Sequence, residues 1–229
     1  MTTSGTFSFT PSLGELTLYA FNVAGVRSTA LTQSHMESAR IAANMINSRW
    51  SAMGINLWAV DLQTIQIIPG NATYSVPANT VAILDAYASR GAGVAQRDRI
   101  ILPVSRTEYA SYSNKAQPGG ITTFWYDQLL APTITFYQTP DGRDAAVNYY
   151  RVRQIQDAVM AGASSPEMPF YFLEAYATAL AQRLAQVWNP GMAAGLKTLA
   201  DEAYEIAVNR NTENAAFYIS PMVSGYWRP

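Results

Sequence analysis

With 229 residues the chain is long enough to bury a sizeable core, in one domain or in two packed closely together. Apolar residues make up 49% and charged residues 14%, well under the roughly 25% charge of ordinary soluble domains, so either much of the surface meets partner surface or the chain is a neutral monomer solvated by Ser, Thr, Asn, Gln and Tyr. A net charge of −1 and the lack of cysteine exclude nucleic-acid binding by bulk charge, disulfides and thiolate chemistry.

The first helix is predicted to open at Ser12, where Ser12 and Glu15 form a capping box. Leu16, Tyr19, Ala20 and Val23 then recur at helical spacing, and Gly25 is a stop. A second helix, from about Thr32 to Met53, places Met36, Ala39, Ala43, Ile46, Trp50 and Met53 on one stripe. Arg40, Asn44, Asn47 and Ser48 lie largely off it, and Gly54 supplies a left-handed residue past the end. A short link between two helices predicts an antiparallel hairpin.

At Leu57 the period changes to two. Ile65 and Ile67 before Pro69-Gly70-Asn71 read as a strand and a turn, Tyr74 and Val76 start a second strand, and Val81 to Tyr87 form a third. Gly91 and Gly93 with Arg90, Arg97 and Arg99 mark a loop tip, and a strand follows from Arg99 to Val104. Ser105-Arg106-Thr107-Glu108 repeats the capping pattern and predicts a helix of one or two turns. After a turn at Gln117-Pro118-Gly119-Gly120 come strands at Ile121 to Tyr126, Thr133 to Gln138 and Ala145 to Val152. The last two are joined by Pro140-Asp141-Gly142, a hairpin signal. Helix three runs from about Pro169 to Trp188, with Leu173, Tyr176, Leu180, Leu184 and Val187 on one face, and Asn189-Pro190-Gly191 breaks it. Helix four runs from about Met192 to Arg210, with Leu196, Leu199, Ala203 and Ile206 inward. Phe217, Tyr218, Ile219, Met222, Tyr226 and Trp227 are too many large apolar side chains for a solvated tail, which either packs back on its own domain or docks on a neighbour.

The fold class expected is α+β. N-terminal and C-terminal helical hairpins pack as a helical bundle, around a central small antiparallel β-sandwich or barrel. The divisions are a helical part over 1–56, a β domain over 57–156, the second helical part over 157–214 and an extension over 215–229. Arg90 to Arg153 holds eight basic and five acidic residues, and Gln154 to Pro229 four basic and seven acidic: either a mild dipole that orients partners or chance at these counts. The opening MTTSGTFSFTPS has neither the basic nor the apolar region of a signal peptide, and no apolar run reaches the ~18 residues of a membrane span, so a soluble cytoplasmic product is expected.

No arrangement of residues announces chemistry. His35 is alone, with no carboxylate three or four positions on, so it reads as an exposed or capping residue rather than a metal ligand. Gly91-Ala92-Gly93 is not followed by a helix and so is no phosphate cradle. Asp201, Glu202 and Glu205 read as a solvated acidic face. Asp141 and Asp144 flank a turn without an acid–base partner, and Trp58 and Trp125 read as packing residues before they read as a sugar groove. No catalytic residue, metal site or cofactor is predicted.

Three stretches carry a resemblance. The first is Ile101 to Tyr109 (ILPVSRTEY) with Lys115, Gly119-Gly120 and Phe124-Trp125-Tyr126; the second is Pro132 to Asp141 (PTITFYQTPD); the third is Pro169 with Leu173-Glu174-Ala175 and Leu180 to Ala185 (LAQRLA). From about Leu31 to Pro221 the chain resembles the head-to-tail adaptors of tailed bacteriophages, the tail-accessory or packaged-DNA stabilisation type of the short-tailed viruses. That family usually has Pro where this chain has Gln138. The resemblance implies a non-enzymatic connector at the head–tail junction of the virion, made in the host cytoplasm and forming a homo-oligomeric ring, dodecameric like the portal above it. A downstream tail or nozzle protein would bind below, and DNA would pass through the lumen without being read. A lysozyme-like activity is attributed to some members, and no motif here supports it. Partner contacts are expected at Arg97, Arg99 and Lys115 on the β-domain surface and at Phe217, Tyr218, Met222, Tyr226 and Trp227 in the extension. A peptidoglycan- or carbohydrate-cleaving virion enzyme, or another tail or neck structural protein, are the competing readings.

Overall fold

Local capping decides where the helices begin. In the computed structural model, which describes residues 5–6, 9–54, 56–91, 93–159 and 164–212, Ser12 caps α1 (Leu13–Val23): its hydroxyl accepts from the Glu15 N–H at 3.2 Å, and Glu15 accepts from the Ser12 N–H at 2.8 Å. α2 (Gln33–Met53) opens on Thr32, whose N–H donates to His35 Nδ1 at 3.2 Å. The lone histidine is therefore a capping residue, and its ring stacks on Trp188 at 3.9 Å. Gly54 follows in extended backbone, φ 176°, rather than the left-handed conformation expected, so it ends the helix by leaving it. A single turn of 3-10 helix, Phe170–Phe172, leads into α4 (Leu173–Trp188). Asn189 then serves as the last cap of α4 and the first of α5 (Pro190–Arg210). Pro190 thus starts α5 instead of merely breaking α4, because the first helical position needs no N–H.

The two N-terminal helices do not form the expected hairpin. α1 and α2 each pack chiefly on α4, which also carries α5 along its length. The alanines explain the arrangement: Ala20, Ala39, Ala43, Ala175, Ala177, Ala181 and Ala185 are all buried at these contacts and let the backbones approach. Trp50, Phe172, Tyr176, Leu180 and Leu184 fill what remains. The Tyr176 hydroxyl is buried without a hydrogen-bond partner among the described residues, and burial pushes its pKa up. Tyr176→Phe removes that cost and should raise stability by about 1 kcal/mol, read as a higher urea midpoint at unchanged slope.

The strands are β1 (Val60–Gln66), β2 (Thr73–Ser75), β3 (Thr80–Arg90), β4 (Arg97–Pro103), β5 (Pro118–Gly119), β6 (Thr123–Asp127), β7 (Thr133–Tyr137), β8 (Thr139–Pro140) and β9 (Ala146–Arg153), with the short helix α3 (Arg106–Ser111) between β4 and β5. Seven form one mixed sheet in the order β1-β9-β3-β4-β6-β7-β2, with β4 and β6 parallel; β5 and β8 form a separate parallel pair. This replaces the antiparallel sandwich or barrel. The sheet curls as a half-barrel: Ile65 of β1 and Tyr74 of β2, at opposite ends of the strand order, pack on the same core of Ala86, Ile101, Phe124, Phe136, Val147 and Tyr149. The Tyr74 hydroxyl accepts from the Ile68 N–H at 2.8 Å, bridging the open seam. Gly70, φ +83°, makes the turn at that seam.

The hairpin expected at Pro140-Asp141-Gly142 is also corrected. The turn forms, with the Arg143 N–H donating to Asp141 Oδ1 at 3.0 Å. The strands on its two sides do not pair, however: β7 lies between β6 and β2, and β9 between β1 and β3. Thr139–Pro140 leaves the sheet to pair with Pro118–Gly119, which carries the chain across to the other end. The peptide bond between Tyr137 and Gln138 is cis.

Candidate functional site

Beyond β9 the chain enters the helical part through a hydrogen-bonded seam. Asn44 accepts from the Ala158 N–H at 2.8 Å and donates to its carbonyl at 3.1 Å; Asn47 donates to the Gln156 carbonyl at 2.9 Å, and Ser51 accepts from the Ile155 N–H at 3.1 Å. These α2 side chains lie three and four positions apart, so one helix face satisfies an extended backbone as a neighbouring strand would. Arg151, almost fully buried, donates to both oxygens of Asp61 at 2.7 and 3.0 Å and to Asn79 and Thr80, each at 2.8 Å. Arg153 donates to both oxygens of Glu167, whose carbonyl accepts from Trp58 Nε1 at 3.0 Å. The hydrogen bonds from Arg151 hold the Asp61 carboxyl below its ordinary range, and those from Arg153 do the same for Glu167. This network ties the sheet to the segment that feeds α4.

At the sheet's other end Asp144 is the hub. Its side chain is buried; Oδ2 accepts from the Ile121 N–H at 2.8 Å, and the guanidinium groups of Arg90 and Arg99 lie at 3.3 and 3.7 Å. Arg99 also donates to the Ile121 carbonyl. Of the residues expected to meet partners, Arg99 is therefore engaged within its own subunit. Lys115 likewise closes α3, donating to the carbonyls of Ala110 and Tyr112 at 3.1 and 2.9 Å with its ammonium 5.7 Å from the Tyr109 ring. Arg97 is exposed, paired across strands with Arg90. Tyr109 stacks on Trp125, and Tyr112 on Tyr137 at 4.2 Å, so α3 is fastened to the sheet by aromatic pairs. Trp58 packs on Phe172 in the helical core. The extension with Phe217, Tyr218, Met222, Tyr226 and Trp227 lies outside the described residues.

Among the apolar side chains open to solvent, two ordered rows stand on regular elements. On the outer face of the sheet a polar ladder crosses four strands: Thr64 donates to Asn148 at 2.6 Å, Asn148 to Ser89 at 3.0 Å, and Ser89 to Asp98 at 2.7 Å. Two residues further along the same strands the outward side chains are Leu62 opposite Tyr150 and Tyr87 opposite Ile100, with Leu102 beyond. Ile100 is 73% exposed and Leu102 61%. The second surface is on α5. Leu196, Ala200 and Ala207 face inward, whereas Met192, Leu199 and Ile206, seven residues apart, form an exposed stripe, with Ile206 73% exposed. Leu199 and Ile206 are thus outward, not inward as their spacing suggested. Val187 and Met53, also assigned to core stripes, are exposed as well. A helix whose apolar arc is wider than its contact with α4 leaves one flank uncovered.

The family model of the SU10 adaptor protein matches residues 29–224. The chain belongs to this family. No curated protein matches it. The family is one of phage head-to-tail adaptors, structural components of the virion, and the match spans nearly the stretch, Leu31 to Pro221, on which the resemblance was drawn. No helix among the described residues of the adaptor is long and apolar enough to cross a membrane.

Sequence reasoning missed the adaptor's internal seam and both apolar surfaces. Asn44 and Asn47 read as a solvated helix flank, because nothing local says that a distant backbone will lie against them. The i, i+7 recurrence of Leu199 and Ile206 was visible, and it was absorbed into one core stripe with Leu196 and Ala203. The arginines near the loop tip were legible as charges but not as the internal partners of Asp144.

Proposed function

We propose that this adaptor is the structural connector of a short-tailed phage, forming a ring beneath the portal, extending the DNA channel and offering a platform to the next tail component. The single observation that carries the ring is the pair of separate apolar surfaces on one subunit. A closed ring of identical chains needs two different faces that complement each other around the circle. The outer sheet row at Leu62, Tyr150 and Ile100 and the α5 stripe at Met192, Leu199 and Ile206 provide two such faces. The near-neutral charge suits a lumen through which DNA slides rather than one that holds it. The extension from Phe217 to Trp227 is assigned in the assembly to the portal or to the adjoining subunit, held there by aromatic burial.

The test is mass in solution, alone and with the portal. Leu199→Asp with Ile206→Asp, or Leu62→Asp with Ile100→Asp, should each leave stability within about 0.5 kcal/mol and abolish ring formation on the portal. Mixing the two variants restores one good interface per pair, so dimers but no rings are expected. Rings from either variant would overturn the assignment of that face, and absence of the protein from mature particles would overturn the connector reading. Ending the chain at Asn214 should give a folded subunit that no longer joins the portal.

A further inference from the structure

We propose that in the free subunit residues 213–229 occupy an apolar groove on that same subunit, between the segment entering α1 and the start of α4. The groove, about 1180 Å³, is lined by Phe9, Pro11, Leu16, Tyr19, Phe170 and Leu173. It exceeds the 300–1,000 Å³ of small-molecule pockets, a size suited to a peptide. Phe9 and Phe170 are each 77% exposed and Tyr19 58%, an aromatic rim that a free subunit seldom leaves to water.

Three observations select the occupant. The first is where the segment starts. α5 ends at Arg210, and the Tyr171 hydroxyl donates to Asn211 Oδ1 at 3.5 Å, with the Tyr171 ring 5.4 Å from that of Phe170. The segment therefore leaves the helix at the groove's rim, and 17 residues reach roughly 56 Å when extended. The second is composition: Phe217, Tyr218, Ile219, Met222, Tyr226 and Trp227 supply apolar side chains at short intervals, and Pro221 keeps them from running as one helix. The third is charge. Glu15 and Glu174 are the charged residues lining the groove; the segment carries one acidic residue, Glu213 at its start, and one basic residue, Arg228 near its end, so the favourable pairing is with its distal part.

A tether this short gives an effective concentration on the order of millimolar, so at micromolar protein the chain's own segment outcompetes that of a second copy. This inference rests on the reading above, in which the same segment later serves the portal. Joining the portal then requires drawing it from the groove, and the groove keeps the free subunit from displaying an aromatic tail.

The chain has no cysteine, so Ser224→Cys in the full-length protein takes one nitroxide. Paramagnetic broadening of amides near Phe9–Leu16 and Phe170–Leu173, unchanged over a tenfold dilution, is the expected result. It should disappear on Phe170→Glu, an exposed position whose change leaves the fold intact, and equally on Tyr226→Asp with Trp227→Asp. Broadening absent from the groove, retained in both variants, or present on unlabelled-spin chains mixed with labelled ones overturns the proposal; the last would seat a second copy's segment there. The measurement uses no portal. A segment absent from the groove yet required for portal binding sinks this inference alone, and one seated in the groove yet dispensable at the portal sinks only its assigned role there.

Discussion

Replacing Asp61 by alanine should lower the free energy of unfolding by about 3 kcal/mol, the lower end of the range for removing one partner of a buried pair. Arg151 is almost wholly buried, and without Asp61 it keeps two neutral acceptors, Asn79 and Thr80. The lower end applies because Asp61 itself is about a third open to water. Urea unfolding followed by far-ultraviolet circular dichroism reads the loss. The same site predicts the acid limb. The folded-state pKa values of Asp61 and Glu167 are both depressed, by hydrogen bonds from Arg151 and Arg153. Their contribution is therefore fully present above the unfolded carboxylate pKa of about 4 and is lost as the pH falls through the lower folded values. Stability should drop more steeply with acid in the wild type than in Asp61→Ala. Parallel pH profiles would show that the Asp61–Arg151 pair across β1 and β9 does not contribute to stability.

Trp50→Ala should cost about 3–5 kcal/mol, in the same range. Trp50 is the α2 residue whose ring meets Phe172 at 5.6 Å, Tyr176 at 5.9 Å and Tyr204 at 5.3 Å, so it joins α2 to α4, α5 and the turn before α4 at once. Hydrogen exchange should quicken along α2 beyond the global change, and a uniform change would point to collapse of the site instead.

The starts of α1, α2 and α3 were legible because a cap is settled within three residues: Ser12 with Glu15, Thr32 with His35, Ser105 with Glu108; α4 and α5, which no side chain caps, start at Leu173 and Pro190 rather than at Pro169 and Met192. The strands were legible from alternation, and the turn at Gly70 from its composition. Which strands pair was not. Pro140-Asp141-Gly142 specifies that the chain turns, and nothing local specifies that β9 will prefer β1 and β3, more than 50 residues earlier in the chain, to β7. The internal contacts of Arg99 and Lys115 were illegible for a related reason, since a charge reads the same in sequence whatever it meets in the fold.

Sequence by itself determined the kinds of element, their order and caps, the absence of thiol chemistry and the family likeness, all of which rest on short-range stereochemistry and side-chain identity. Tertiary structure alone decided that one curled sheet replaces a sandwich, that α4 is the helix on which the others rest, and that the flank of α5 and the outer sheet row stay uncovered. Those outcomes depend on which distant surfaces exclude water together, and burial is a property of the folded whole.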